Sequence, residues 1–170
     1  MAIRHGDLDA LGRLIVGQPD LAMVRMIGRK GLEGGWRTPL HVAADWPGYF
    51  RNAPAAVSLL LEGAADPNDT TGGDHPETPL HWTASTDDAD VAAVLVDGGA
   101  ELETGGGSIG TPLDNAIGYG CWNVARLLVG RGARVDRLWH AAALGMLTRL
   151  QELMAEPPGH EEICQAFWHA

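Results

Sequence analysis

Apolar residues recur along the chain at helical spacing in three short segments. Val57, Leu60 and Leu61 make one stripe, Val91, Val94 and Leu95 a second, and Val124, Leu127 and Leu128 a third. Spacings of three and four place each set on one face of an α-helix. Between these stripes lie segments rich in small residues: Ala43-Ala44, Ala84, Ala116 and, further on, Ala141-Ala142. Small side chains let one helix approach its neighbours closely. The pattern predicts striped helices alternating with small-residue helices. No stripe is wide enough to be buried by its own segment, so the core must come from stacking.

Each small-residue helix opens on the same letters. Thr38-Pro39-Leu40-His41 recurs as Thr78-Pro79-Leu80-His81 and, altered, as Thr111-Pro112-Leu113-Asp114. Thr can cap a helix by accepting from an orphan N–H, and Pro suits the first helical position. The third helical residue, His41, His81 or Asp114, can reach back to the cap; Thr111 and Asp114 form the more regular capping box. The spacing from Thr78 to Thr111 is 33 residues and from Thr38 to Thr78 it is 40. The striped halves repeat too, as LLLEGAADPN, VLVDGGAELE and LLVGRGARVD. Gly99 and Gly132 each lie 21 residues after their Thr, and Gly63 lies 25 after Thr38. On that alignment four of the seven extra residues fall in DWPGYFRNAP and three in DTTGGDHPE. Gly63, Gly99 and Gly132 suit left-handed helix C-caps.

Two motifs repeating in register resemble the ankyrin repeat, T-P-L-H-x-A-A followed by L-L-x-x-G-A. The resemblance implies an all-α fold, an ankyrin-repeat solenoid of helix–turn–helix units joined by β-hairpin-like loops. It covers most of the chain as a single domain, 1–170. The expected units are 1–37 (degenerate), 38–77, 78–110, 111–135, 136–160 and a partial 161–170. In the first, Ala2 to Gly6 reads as the end of an inner helix and Leu8 to Val16 as the outer one. In the fifth, Leu138 to Gly145 reads as inner and Leu147 to Met154 as outer, with the preceding hairpin about eight residues short. Phe167-Trp168-His169-Ala170 echoes Leu138-Trp139-His140-Ala141, as if a sixth inner helix began there. The resemblance also implies that His41 and His81 link hairpin to helix by hydrogen bonds.

Stacking puts His41, His81 and Asp114 in one column. One reading pairs His81 with Asp114 as a pH-sensitive or catalytic couple. The other makes them separate caps about 8–10 Å apart, beyond direct contact.

Composition narrows the function. The net charge of -10 speaks against nucleic acid and anionic membranes, which need a positive partner surface. No apolar run is long enough to span a bilayer. Cys121 and Cys164 have no metal-like or disulfide-scaffold spacing, the N-terminus has no export pattern, and a cytoplasmic location follows. Lys30 is the only lysine among 12 basic residues, which points to a GC-rich bacterial genome.

The resemblance implies a concave binding face built from hairpin tips and inner helices. On this chain it carries Trp36 and Arg37, His75 and Glu77, Asp45 and Trp46, Ser85 and Thr86, and Tyr119. Aromatics and Arg are the residues that anchor interfaces. The insertion after Ala44 places Trp46, Tyr49 and Phe50 in one loop, 45–53. Trp46 and Phe50 either fold onto their own unit or present themselves to a partner. Trp82 and Trp139 read as core or hairpin packing, and Trp122 as partly exposed. Asp45, His75, Glu77, Asp87, Asp88 and Asp114 could supply acid–base chemistry. No nucleophile motif accompanies them, Gly105-Gly106-Gly107 lacks the strand and Lys of a phosphate loop, and no His pair has metal-binding spacing. The expected role is recognition of another protein, without metal or cofactor. The alternative is a small-molecule-binding protein, or a hydrolase or isomerase, using the groove as a pocket. Ile163, Phe167 and Trp168 either cover the fifth unit or leave an open end for self-association.

Overall fold

The computed structural model describes residues 2–27 and 35–169. Lys30 and Ala170 therefore lie outside the described residues. Helices α1 (Ala2–His5), α3 (Pro39–Ala44), α5 (Pro79–Thr86), α7 (Pro112–Gly118), α9 (Leu138–Ala143) and α11 (His160–His169) form an inner row, each packed on the next. Helices α2 (Leu8–Gly17), α4 (Ala53–Glu62), α6 (Ala89–Asp97) and α8 (Trp122–Gly130) form an outer row in the same order. Helix α10 (Leu147–Leu153) packs on α9. Two short antiparallel strands, β1 (Met26–Ile27) and β2 (Trp36–Arg37), pair Met26 with Arg37 just before α3. The architecture is all-α, with one unit stacked on the next.

The core lies between the rows. The second residue of each inner helix contributes Leu40, Leu80, Leu113 and, in α9, Trp139, all buried. Facing them are Val57 and Leu60, Val91 and Leu95, and Val124 and Leu128, which are also buried. Leu61, Val94 and Leu127 cover the core from its edge.

Helices α4, α6 and α8 of the outer row end in one way. The N–H groups of Ala65, Ala100 and Ala133 bond back to the carbonyls of Leu60, Leu95 and Leu128 at 3.0, 2.9 and 2.9 Å, the wide closing bond of a Schellman cap. The left-handed residues before them are Ala64, Gly99 and Gly132, with φ of 68°, 96° and 100°. This corrects the expected alignment: Ala64, not Gly63, is the equivalent of Gly99. Ala64 lies 26 residues after Thr38, so five of the seven extra residues fall in the loop between α3 and α4 and two in the hairpin. Gly63 and Gly98 are glycine because of close approach instead. A Cβ on Gly98 would stand 2.5 Å from Leu61, and one on Gly63 2.8 Å from Ile15, each on the preceding outer helix.

Side chains at the third position of α3, α5 and α7 reach toward the start of the next inner helix. The Nδ1 of His41 accepts from the Thr38 N–H at 3.2 Å, and its Nε2 donates at 2.9 Å to the carbonyl of Glu77, the residue before the Thr78 cap of α5. His81 repeats this with the Thr78 N–H at 3.1 Å and the Gly110 carbonyl at 3.1 Å. Those partners fix the neutral, Nε2-protonated form. At the third joint the polarity inverts. Asp114 takes the Thr111 N–H on one oxygen at 2.7 Å and the Nε2 of His140 on the other at 2.7 Å. Of the two readings of His81 and Asp114, the pairing gives way to that of separate caps: His81 is committed to Gly110, and Asp114 pairs with His140 instead. His140 holds the third position of α9, where the cap is Arg137 and offers no hydroxyl; its buried Nδ1 has no partner among the described residues. Burial raises the Asp114 carboxyl, but hydrogen bonds from His140 and Thr111 and the Arg137 charge outweigh it, and the net shift is downward.

The chain's end also differs from expectation. Phe167, Trp168 and His169 close α11 rather than opening a helix, so the echo of Leu138-Trp139-His140 lies at the wrong end. Helix α11 packs on α9 through its buried Ala166 and through His169, whose ring lies 4.9 Å from that of Trp139.

Two predictions follow from caps and joints. An alanine in the left-handed region is disfavoured, so Ala64→Gly should stabilise the fold by about 0.5–1 kcal/mol. Gly99→Ala, where no atom lies within 4 Å of the new Cβ, should cost a similar amount. Urea denaturation of both variants reads this out, and equal losses would refute it. Burial pushes the His41 imidazole down to about 4, against the pull of the Glu77 carbonyl, and moves His81 in the same direction. A depressed histidine leaves the unfolded chain binding more protons below pH 6.5. Stability is therefore full above about pH 6.5 and falls as pH drops toward 4. At about pH 5 His41 alone accounts for about 2 kcal/mol. Denaturation at about pH 7 and about pH 5 should show this loss in the wild type and less of it in His41→Asn.

Candidate functional site

The face formed by the inner helices and hairpins carries two adjoining cavities. One, about 180 Å³, is lined by Ala44, Asp45, Trp46, Glu77, Trp82, Ser85 and Thr86. The other, about 360 Å³, is lined by Met26, Gly35, Trp36, Arg37, Thr71, Gly72 and Trp82. Trp82 is the wall between them. Its ring is held edge-on against His41, with centroids 5.1 Å apart and planes at 74°.

Glu77 is the most firmly placed polar group of the first cavity. Its N–H donates to the Thr71 hydroxyl at 3.0 Å, and its carbonyl accepts from the Thr71 N–H at 2.8 Å and from His41. Its carboxylate oxygen Oε1 accepts from the Ser108 N–H at 3.1 Å and the Asn115 amide at 3.2 Å. Asn115 is fully buried and also accepts from the Ile109 N–H at 3.0 Å. Three successive units thus hold one residue. Asp45 differs: it forms ion pairs with Arg4 and, at 3.4 Å, with Arg37.

The loop after α3 is anchored on both sides. Toward the preceding unit, Phe50 turns inward onto the core with the Arg4 guanidinium 5.5 Å from its ring centre, and Asn52 donates to the Gly6 carbonyl at 2.9 Å. Toward the following unit, the Tyr49 N–H donates to Asp88 at 2.6 Å and its phenol donates to the Asp87 carbonyl. Burial and then the nearby Asp87, Asp88 and Asp90 charges push the Tyr49 phenol upward. Trp46, between these anchors, is left 75% exposed.

Of the sequence-predicted residues, Asp45, Trp46, Glu77, Ser85 and Thr86 come together around the first cavity, and Trp36 and Arg37 line the second. Tyr119 is exposed and reaches Glu77 indirectly: its phenol and the Ser108 hydroxyl lie 2.7 Å apart. His75 stands exposed on the hairpin. Phe50 is an anchor of the loop and not part of the groove. Sequence reasoning assigned Trp82 to packing and passed over Ser108 and Asn115. The available signal was Asn115, an amide at the helical position where α3 has Val42 and α5 has Trp82.

Among the described residues no group of three His, Cys, Asp or Glu side chains is placed to hold a metal ion, and no helix is long and apolar enough to cross a membrane. Of the two buried carboxylates, Asp88 accepts from the Tyr49 and Val91 N–H groups and Asp114 is engaged at a joint, and neither lines either cavity. A family model of ankyrin repeats, in three copies, matches residues 40–138, more than half of the chain. The protein belongs to the ankyrin repeat family, whose repeats are in general protein-interaction modules. None of the curated proteins matches it.

Proposed function

We propose that residues 1–170 act as one ankyrin-repeat recognition domain, with units 1–37, 38–77, 78–110, 111–135, 136–160 and 161–170. It binds another protein through the inner-helix face and the 45–53 loop. The observation that carries this reading is Trp46, 75% exposed on a loop whose other two aromatics are spent on holding it in place. A fixed, exposed tryptophan loses little entropy on binding, which is the property of an interface anchor. Trp36, Arg37, Glu77, Ser85, Thr86, Tyr119 and His75 surround it as the remaining contacts. The cavity beside Trp46, about 180 Å³, has room for one side chain of a partner. With two free cysteines, the proposed setting is a bacterial cytoplasm.

A second surface supports self-association. Ile163, Phe167 and Trp168 form an apolar face on α11, with Phe167 84% and Trp168 86% exposed. Such a face is stabilised by covering it, here with a second copy.

Affinity capture from the native cell tests the main reading. Trp46→Ala with Tyr119→Ala should lose the retained protein while thermal unfolding stays unchanged; equal retention by the double variant would sink the groove assignment. Light scattering at two protein concentrations tests the second. The wild type should gain mass with concentration and Phe167→Ser with Trp168→Ser should not.

A further inference from the structure

Resting on that reading of the groove, we infer that the cavity between Trp46 and Trp82 is a subsite for one cationic side chain, arginine or lysine, presented by the partner protein. The argument is an inventory of what the cavity offers. Its aromatic surfaces are two indoles, and an indole face is the best π partner for a cation. Its hydroxyls have spent their protons: Ser85 donates to the His81 carbonyl at 3.2 Å and Thr86 to the Trp82 carbonyl at 3.3 Å. What they turn outward is lone pairs. Asp45 contributes another acceptor, already neutralised by Arg4 and Arg37.

Glu77 has no such neutralisation. Among the described residues no basic side chain forms an ion pair with it. Two N–H donors fix Oε1, while Oε2 takes no hydrogen bond from the described residues. The carboxylate is therefore immobilised and one partner short. The lining's acceptors, the carboxylates of Glu77 and Asp45 and the lone pairs of Ser85 and Thr86, outnumber its donors, of which the Trp82 N–H is buried without a partner, and that excess fits a ligand group that has donors only. Among side chains those are the guanidinium and the ammonium. The net charge of -10 adds long-range attraction for a basic segment.

The molecule already uses this pairing internally. Arg25 lies 5.3 Å from the Trp36 ring centre while its guanidinium bonds Asp69 at 2.9 Å. An arginine between Trp82 and Glu77 would make the same two contacts with a partner's side chain.

The test uses the full chain and three capped pentapeptides, Gly-Gly-X-Gly-Gly, with X as arginine, lysine or citrulline. Citrulline keeps the shape of arginine and removes its charge. Indole N–H resonances of the six tryptophans report the site, with Trp46 and Trp82 assigned through Trp46→Phe and Trp82→Phe. The arginine peptide should move those two resonances and the citrulline peptide should bind at least about tenfold more weakly. The lysine arm decides between the two cations. Glu77→Gln, which keeps the acceptor for Ser108 and Asn115, should weaken arginine at least about fivefold, as should raising salt from about 50 to about 500 mM. Equal binding of citrulline, indifference to Glu77→Gln with unchanged folding, or shifts confined to other indoles would overturn the inference. If Trp46→Ala with Tyr119→Ala loses the protein partner but Glu77→Gln and salt do not affect its capture, the cation subsite falls and the groove reading stands. If the double variant keeps the partner, the groove reading falls, and the peptide titration still decides the subsite.

Discussion

A single buried side chain near the start of α3, α5 and α7 carries a hydrogen bond to or past the entrance of the next inner helix, and the rest of the array is arranged around that bond. A slipped neighbour would leave the imidazole of His41 or His81 facing no acceptor, with an unpaired Nε2–H buried in the joint. Leaving such a group unpaired costs more than the bond itself contributes, so the joint favours an aligned neighbour over a slipped one. Apolar contact between outer helices is less selective, since Val and Leu tolerate small displacements. The column of third-position side chains sets register while the stripes supply most of the stabilisation.

The same bond reaches the groove. His41 fixes the Glu77 carbonyl, the hairpin fixes its N–H, and the following unit fixes its carboxylate. A residue between two units thereby becomes as rigid as one inside a helix, although the chain there is irregular. Function on a repeat scaffold needs this rigidity, because the binding face is assembled from segments that are distant in sequence. The α3–α4 loop follows the same logic. It is long, yet its two ends are tied to the units on either side, and the exposed indole at its centre is displayed from a fixed base.

The fold was legible because its signals are periodic: a capped start, an apolar stripe and a left-handed end, each repeated. Errors arose where a unit broke its own rule. Alanine stands at residue 64 where its counterparts are glycine, and Gly63, which is glycine for its close approach to Ile15, occupies the place the alignment assigns to the cap. Arg137 stands where its counterparts are threonine, which hid His140 as the fourth member of the column. The groove was half legible. Exposed residue types at hairpin and helix ends pointed to Trp46, Glu77 and Ser85, but which of them meet depends on stacking geometry that no local pattern encodes. Asn115 and Ser108 act through Glu77, from the two following units, and neither has a motif of its own.

The joint after α7 has a consequence for how such an array can lengthen. Repeat proteins grow by copying a unit in place, which works when every junction presents the same complement. A copy of the 78–110 segment inserted after α7 would set the Asp114 carboxylate against a backbone carbonyl, two acceptors with no proton between them. Upstream, a histidine meets that carbonyl and the junction closes. Duplication is thus open on one side of Asp114 and barred on the other, and α9 must be inherited together with the aspartate that receives its histidine.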